Sequence, residues 1–203
     1  TANAEMVMLA NENPTLHSIL NNASLVVPDG AGILWAAERQ GEHVPERVTG
    51  VDVTKELFKV AATHQIPVYC LGAAPGVAQR AIDNVSAQVG VLNIAGIHDG
   101  FFDSAEEQEI IKSIADSKAK LVFVALGVPK QEQWIAEKLS HLDGVVAIGI
   151  GGSFDVLAGN IPRAPEWMQQ NRLEWLYRLY LEPQRIGRML AIPKFMWTVI
   201  RNK

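Results

Sequence analysis

Four stretches of this sequence set glycines at the ends of apolar runs: Pro28-Asp29-Gly30-Ala31-Gly32, Gly72-Ala73-Ala74-Pro75-Gly76, Gly127-Val128-Pro129-Lys130-Gln131 and Gly149-Ile150-Gly151-Gly152-Ser153-Phe154-Asp155. Glycine lets a backbone amide come close to a bulky anion, and a helix that starts after such a loop directs its N–H groups at it. A phosphate-bearing ligand suits this pattern. Gly30, Gly72, Gly127, Gly151 and Gly152 would give the backbone approach, Lys130 a nearby cation, and Asp155 a contact to a ribose or base. Each loop alone is a weak signal, because glycine after a strand often serves turn geometry only. The last loop does not complete a dinucleotide fingerprint, since Phe154 stands where the third glycine of G-x-G-x-x-G is needed, and no Walker loop is present.

Asp29 is the most suggestive carboxylate. It closes an apolar run and is followed by glycine, which would expose it at a sheet edge. The competing reading is an N-cap for a helix beginning near Gly32. Asp52 reads as an N-cap of the helix carrying Leu57, Phe58 and Val60. The five histidines have no ligand spacing, and no Asp-x-Asp pair is available to hold a metal on a diphosphate. Neither metal nor cofactor is expected. Cys70, the only cysteine, sits in the apolar run Val68-Tyr69-Cys70-Leu71 and reads as a buried small hydrophobe. It leaves no intrachain disulfide, which suits a reducing compartment, the cytosol by default.

The elements that must position these loops follow from the hydrophobic pattern. Ser24–Val27, Val68–Leu71, Val91–Ala95, Leu121–Leu126 and Val145–Ile150 predict buried strands separated by helical segments. That alternation is the signature of an α/β, Rossmann-like, mainly parallel sheet with helices on both faces. Asp103-Ser104-Ala105-Glu106 has capping-box character ahead of Ile110, Ile111 and Ile114, which fall on one helical face. Pro129 suits the first turn of a helix running toward Ser140. After Gly159 the prolines at 162, 165, 183 and 193 divide a Trp- and Arg-rich stretch into short helices. A boundary near residue 160 therefore separates an α/β core, 1–160, from a helical appendage, 161–203.

With 203 residues, 48% hydrophobic and 20% charged, the chain has the composition of a folded protein with one sizeable core. No apolar run is long enough to span a bilayer, and the first twenty residues, with neither a basic start nor a continuous apolar block, are not expected to act as a signal peptide. Residues 1–160 carry 10 Lys and Arg against 19 Asp and Glu, whereas 161–203 carry 8 against 3. The acidic body argues against nucleic acid as a partner, while the basic appendage suits an anionic membrane surface. Trp175, Tyr177, Tyr180, Phe195 and Trp197 supply aromatic material for such an interface. On a single helix Arg178, Arg185 and Arg188 would share an arc of roughly 80°, although Pro183 can bend it. Removing the residues after Asn160 would then spare the α/β body.

Taken in order, Thr1-Ala2-Asn3, Pro28-Asp29-Gly30-Ala31-Gly32, Arg47-Val48-Thr49-Gly50-Val51-Asp52, Gly127-Val128-Pro129-Lys130-Gln131-Glu132, Gly151-Gly152-Ser153-Phe154-Asp155 and Arg163-Ala164-Pro165-Glu166-Trp167 resemble the WecG/TagA/CpsF glycosyltransferase family over essentially the whole chain. The resemblance implies transfer of N-acetylmannosamine, or its uronic acid, from a UDP-sugar to undecaprenyl-diphosphate-linked N-acetylglucosamine. The transfer would serve the synthesis of wall teichoic acid or enterobacterial common antigen. It implies a membrane-docking appendage that completes the site, and hence a cytoplasmic protein held peripherally at the inner face of the plasma membrane. Carried over by motif, Asp29 matches the family's proposed general base. Thr1, Asn3, Arg47 and Gln131 match polar residues of its pocket, and Arg178, Arg185 and Arg188 match basic positions of the appendage. The family usually has proline where this chain has Ala2, and a strand and a helix are expected upstream of Thr1.

The chemistry then needs Asp29 near the acceptor hydroxyl, an in-line approach to the anomeric carbon, and cations such as Arg47 on the departing UDP. An inverting single displacement follows. Two other readings stay open: a nucleotide-binding Rossmann-like enzyme of another chemistry, and a non-catalytic membrane-associated partner protein. The sequence leaves open whether the chain forms a homo-oligomer.

Overall fold

The computed structural model describes residues 1–171 and 173–201, and the side chain of Arg185 lies outside that description. The chain divides into two compact units, the first joining Thr1–Thr49 to Arg163–Lys203 and the second formed by Gly50–Pro162. The first unit begins with α1 (Ala4–Glu12), α2 (Pro14–Asn22) and α3 (Ala31–Gln40). The second runs α4 (Gly50–His64), β1 (Val68–Gly72), α5 (Val77–Val89), β2 (Ile94–His98), α6 (Ser104–Asp116), β3 (Leu121–Ala125), α7 (Lys130–Trp134) with a π-helical continuation Ile135–Leu139, β4 (Val146–Gly149) and α8 (Ser153–Leu157). The first unit then resumes with α9 (Glu166–Gln170), α10 (Glu174–Leu181), a 3₁₀ turn Pro183–Arg185, α11 (Ile186–Met189) and α12 (Ala191–Arg201).

In the second unit the four strands are all parallel, in the order β2-β1-β3-β4. This is the α/β, Rossmann-like architecture that the alternating pattern predicts. β1 and β3 are buried on both faces, which is why they read as unbroken apolar runs. Successive side chains alternate between two cores. Cys70 and Phe123 join Phe58 of α4, Ala78, Ala81, Ile82 and Val85 of α5, and Phe154 of α8. Tyr69, Leu71, Val122 and Val124 join Ile110 and Ile114 of α6, and Trp134 and Leu139 beyond β3. The rings of Phe58 and Phe123 lie 4.6 Å apart, and Phe154 meets Phe123 edge-on at 6.5 Å. α6 starts on the expected capping box: the Asp103 carboxylate accepts from the Ala105 and Glu106 amides while the Asp103 amide donates to Glu106. Burial pushes the Cys70 thiol well above its usual range, as suits a structural residue.

Several local expectations give way to tertiary context. Ser24–Val27 is not a strand: Leu25 and Val26 are exposed, and the nearby pairing is a single parallel bridge between Ala2 and Pro28. An apolar run becomes a strand only where a neighbour supplies the ladder. The strand expected at Val91–Ala95 begins three residues later, at Ile94, because β1 pairs Val68 with Ile94, and Val91 is exposed. Asp52 lies in the first turn of α4 rather than ahead of it. The N-cap position of α3 is Gly30, at φ 86°.

The first unit is helical. α12 packs on α1 and α3 through Ala4, Met8, Ala36 and Phe195. Phe195 is therefore a core residue rather than an interfacial aromatic, whereas Trp167, Trp175, Tyr180 and Trp197 are exposed. No single helix carries the three arginines. Pro183 lacks an N–H and restricts the residue before it, so Glu182 leaves the helical region at φ −130°, ψ 75°. Arg178 stands on α10 and Arg188 on α11. Residues 1–49 join the C-terminal segment in one compact unit, and Gly50–Pro162 form the other. Truncation after Asn160 would uncover the α1 and α3 surfaces that α12 buries, so it does not leave residues 1–160 intact.

Candidate active site

Because the chain passes from β1 outward to β2 and returns to β3 on the other side of β1, the topological switch point lies between β1 and β3. Ligands of open parallel sheets bind there, beyond the carboxyl ends of the strands. The loop after β1 is held tightly at this place. Gly72 has φ 117°, and a Cβ on it would lie 2.4 Å from the Ala125 carbonyl oxygen of β3, so only glycine fits. The Ala73 amide donates to Ala125 O at 3.0 Å, and the Gly100 amide donates to Ala73 O at 2.8 Å. The loops after β1 and β2 and the end of β3 are thereby tied together at Ala73.

On the β3 side, the Lys130 ammonium lies 5.3 Å from the centre of the Phe102 ring in the loop after β2, a cation–π contact across the switch point. Gln131 is buried. Its Oε1 accepts from the Gly151 amide at 3.0 Å, and its Nε2 donates to Glu132 Oε1 at 2.7 Å. The loop after β4 is anchored a second time by Phe154 in the core and by Ser153 Oγ, which donates to Ile150 O. Gly151 takes φ 52°, whereas Gly152 has ordinary geometry and open space where a Cβ would be. Asp155 Oδ1 accepts from Asn160 Nδ2, and Asn160 Oδ1 accepts from Arg80 Nη2, both at 3.1 Å.

In the first unit, Thr1-Ala2-Asn3 runs beside Val27-Pro28-Asp29. The Ala2 amide donates to Val27 O and the Asp29 amide to Ala2 O, while the Val48 amide reaches Pro28 O. Thr1, Asn3, Asp29 and Gly30 therefore lie on adjoining segments, with Arg47 one residue from the third. Asp29 is half-buried. The Asn3 side chain caps α1, accepting from the Met6 amide at 3.0 Å. Arg47 Nη2 is paired with Glu174 Oε2 of α10 at 2.7 Å, and Arg163 Nε lies 3.6 Å from Glu174 Oε1. Arg178 is half-buried on α10, and exposed Arg188 lies 3.6 Å from Glu5. Among the described residues no group of three His, Cys, Asp or Glu could hold a metal ion.

The structure thus assembles two clusters of sequence-predicted residues. Thr1, Asn3, Asp29, Gly30 and Arg47 lie in one unit; Gly72, Gly127, Lys130, Gln131, Gly151, Gly152 and Asp155 lie in the other. Sequence reasoning passed over Glu132, Arg80 and Asn160. Glu132 stood in view beside Gln131, but one acid in a helix's first turn looks like a response to the helix dipole. Burial distinguishes it: one oxygen, Oε2, is buried without a hydrogen-bond partner, and burial pushes its carboxyl above the usual range while the Gln131 amide pulls it partly back.

A parallel sheet with glycine loops at its switch point defines a Rossmann-like α/β protein, built to take a ligand at the strand ends. Within that class the chain belongs to the glycosyl transferase WecG/TagA/CpsF family, whose sequence profile matches residues 1–203. It is accordingly a glycosyltransferase. Its relatives include proteins of Bacillus subtilis (strain 168), 36% identical, and Bacillus spizizenii, 38% identical. Each alignment covers all of this chain and 78% of the relative. A Staphylococcus aureus (strain NCTC 8325 / PS 47) protein is 33% identical over all of this chain and 79% of its own length. All three are named N-acetylglucosaminyldiphosphoundecaprenol N-acetyl-beta-D-mannosaminyltransferase.

Proposed function

We propose that this chain moves N-acetylmannosamine from a UDP-sugar to undecaprenyl-diphosphate-linked N-acetylglucosamine, in the synthesis of wall teichoic acid or a related surface polymer. The observation that carries the reading is the match of the entire chain, at 33% identity or more, to relatives named for that transfer. The glycine loops at the switch point suit the UDP diphosphate, with Lys130 beside them and Asp155, held by Asn160, as the ribose or base contact. Asp29 takes the proton of the acceptor hydroxyl as that oxygen attacks the anomeric carbon and the bond to UDP breaks, inverting the configuration. Thr1 and Asn3 line the sugar, Gln131 holds the loop after β4 from inside the protein, and Arg47, Arg178 and Arg188 meet negative charge on donor or acceptor. Among the described residues no helix is long and apolar enough to cross a membrane. The exposed tryptophans 167, 175 and 197 on the basic C-terminal segment instead support peripheral docking on an anionic surface at the inner face of the plasma membrane.

The test is transfer from radiolabelled UDP-sugars to a short-chain lipid-linked N-acetylglucosamine. Wild type should give the disaccharide lipid. Asp29→Asn should lower turnover by roughly 10²–10⁴-fold with UDP affinity kept, since a base acts in the transition state. Lack of product from every UDP-hexosamine would remove the reading, and near-normal turnover in the variant would remove Asp29 as the base.

A further inference from the structure

The Gln131 carboxamide can sit in either of two flipped orientations with nearly the same shape, so its neighbours must choose between them. The Gly151 amide demands the oxygen on one side. The opposite side then presents an NH₂ inside the protein, and that donor requires an acceptor. Glu132 Oε1 is that acceptor, at 2.7 Å. Space for the arrangement comes from the end of β4: a Cβ on Gly149 would lie 2.6 Å from Gln131 Nε2 and 2.9 Å from Glu132 Oε1. Gln131 and Glu132 at the start of α7 and Gly149 at the end of β4 therefore interlock with Gly151 of the loop that follows, and Glu132 alone among them carries charge chemistry.

We propose that Glu132 is the positioning residue of the candidate donor site, fixing the Gln131 amide so that the loop after β4 is held at Gly151. The assignment of that loop to a UDP-sugar rests on the function proposed above; the interlock itself does not. Glu132 works best as a neutral acid. Its Oε2 is buried without a hydrogen-bond partner, a costly place for a carboxylate, and burial favours the protonated form. Oε1 accepts from Gln131 in either state. Glu132→Gln keeps a carbonyl oxygen for Gln131 and replaces the protonated oxygen with an amide of nearly the same size. Glu132→Ala leaves the Gln131 NH₂ buried and unpaired.

Two readouts on the full chain separate this proposal from the reading it rests on. By NMR, exchange of the Gly151 amide with solvent should speed about tenfold in E132A, the equivalent of about one lost buried hydrogen bond. It should return to within about threefold of wild type in E132Q, which keeps that bond. By calorimetry, UDP affinity should fall and recover in the same order, and Gly149→Ala, which displaces both side chains, should resemble E132A. Where E132A does not fold, E132M, which fills the space without an acceptor, replaces it. An unchanged Gly151 exchange rate in the folded Ala or Met variant overturns the proposal, as does an E132Q variant as impaired as E132A. If wild type does not bind UDP, the donor-site reading fails, and the exchange data alone decide the role of Glu132.

Discussion

Arg47 and Glu174 lie 127 positions apart in sequence and 2.7 Å apart in the fold, and their side chains are 16% and 14% exposed. At that separation and an effective dielectric of about 20, the direct attraction is about 6 kcal/mol. Desolvating two charges takes back most of it, so the net coupling should be about 1.5–3 kcal/mol, the range of a hydrogen bond between charged groups. A double-mutant cycle of Arg47→Met and Glu174→Gln measures it. Urea unfolding followed by tryptophan fluorescence is the suitable assay, because four of the five tryptophans belong to the unit that holds the pair. Glu174→Gln should cost more than Arg47→Met, since it withdraws the carboxylate from Arg163 as well. Additive single effects, with a coupling below about 0.5 kcal/mol, would show an ion pair of ordinary surface strength. Glu174 would then not be what holds the segment before α4 to α10.

Gly72→Ala should lower stability by about 3 kcal/mol or more, read as a fall in urea midpoint, because it forces a side chain into a left-handed backbone and against the carbonyl of Ala125. A loss below about 1 kcal/mol would mean that the loops after β1 and β3 yield readily. Glu132 should give stability a pH dependence of definite sign. Its folded pKa is raised, so the folded state binds more protons and the contribution is complete below the unfolded value, about 4.3. That contribution is lost as pH rises through the folded pKa. Melting temperatures of wild type and Glu132→Gln should therefore diverge in the variant's favour as pH rises from about 4, and parallel curves would contradict the raised pKa.

The sequence by itself determined the parallel α/β unit, the capping box at Asp103, the breaks at the C-terminal prolines and the family. Each of these rests on information that neighbours in sequence carry: hydrophobic period, cap chemistry, the missing N–H of proline, and ordered motifs. Tertiary structure decided where a local pattern had two uses. Ser24–Val27 is as apolar as a strand but has no ladder, and Phe195 looks interfacial beside Trp197 yet fills the core between α1 and α3. The N-cap position of α3 falls on Gly30 rather than on Asp29. Nothing local in Arg47 names Glu174 as its partner, and nothing in a single glutamate after Gln131 reveals a buried oxygen without a hydrogen bond. Burial and long-range pairing are properties of which surfaces meet. In this chain residues 1–49 and 163–203 form one compact unit, a pairing that no window of sequence contains.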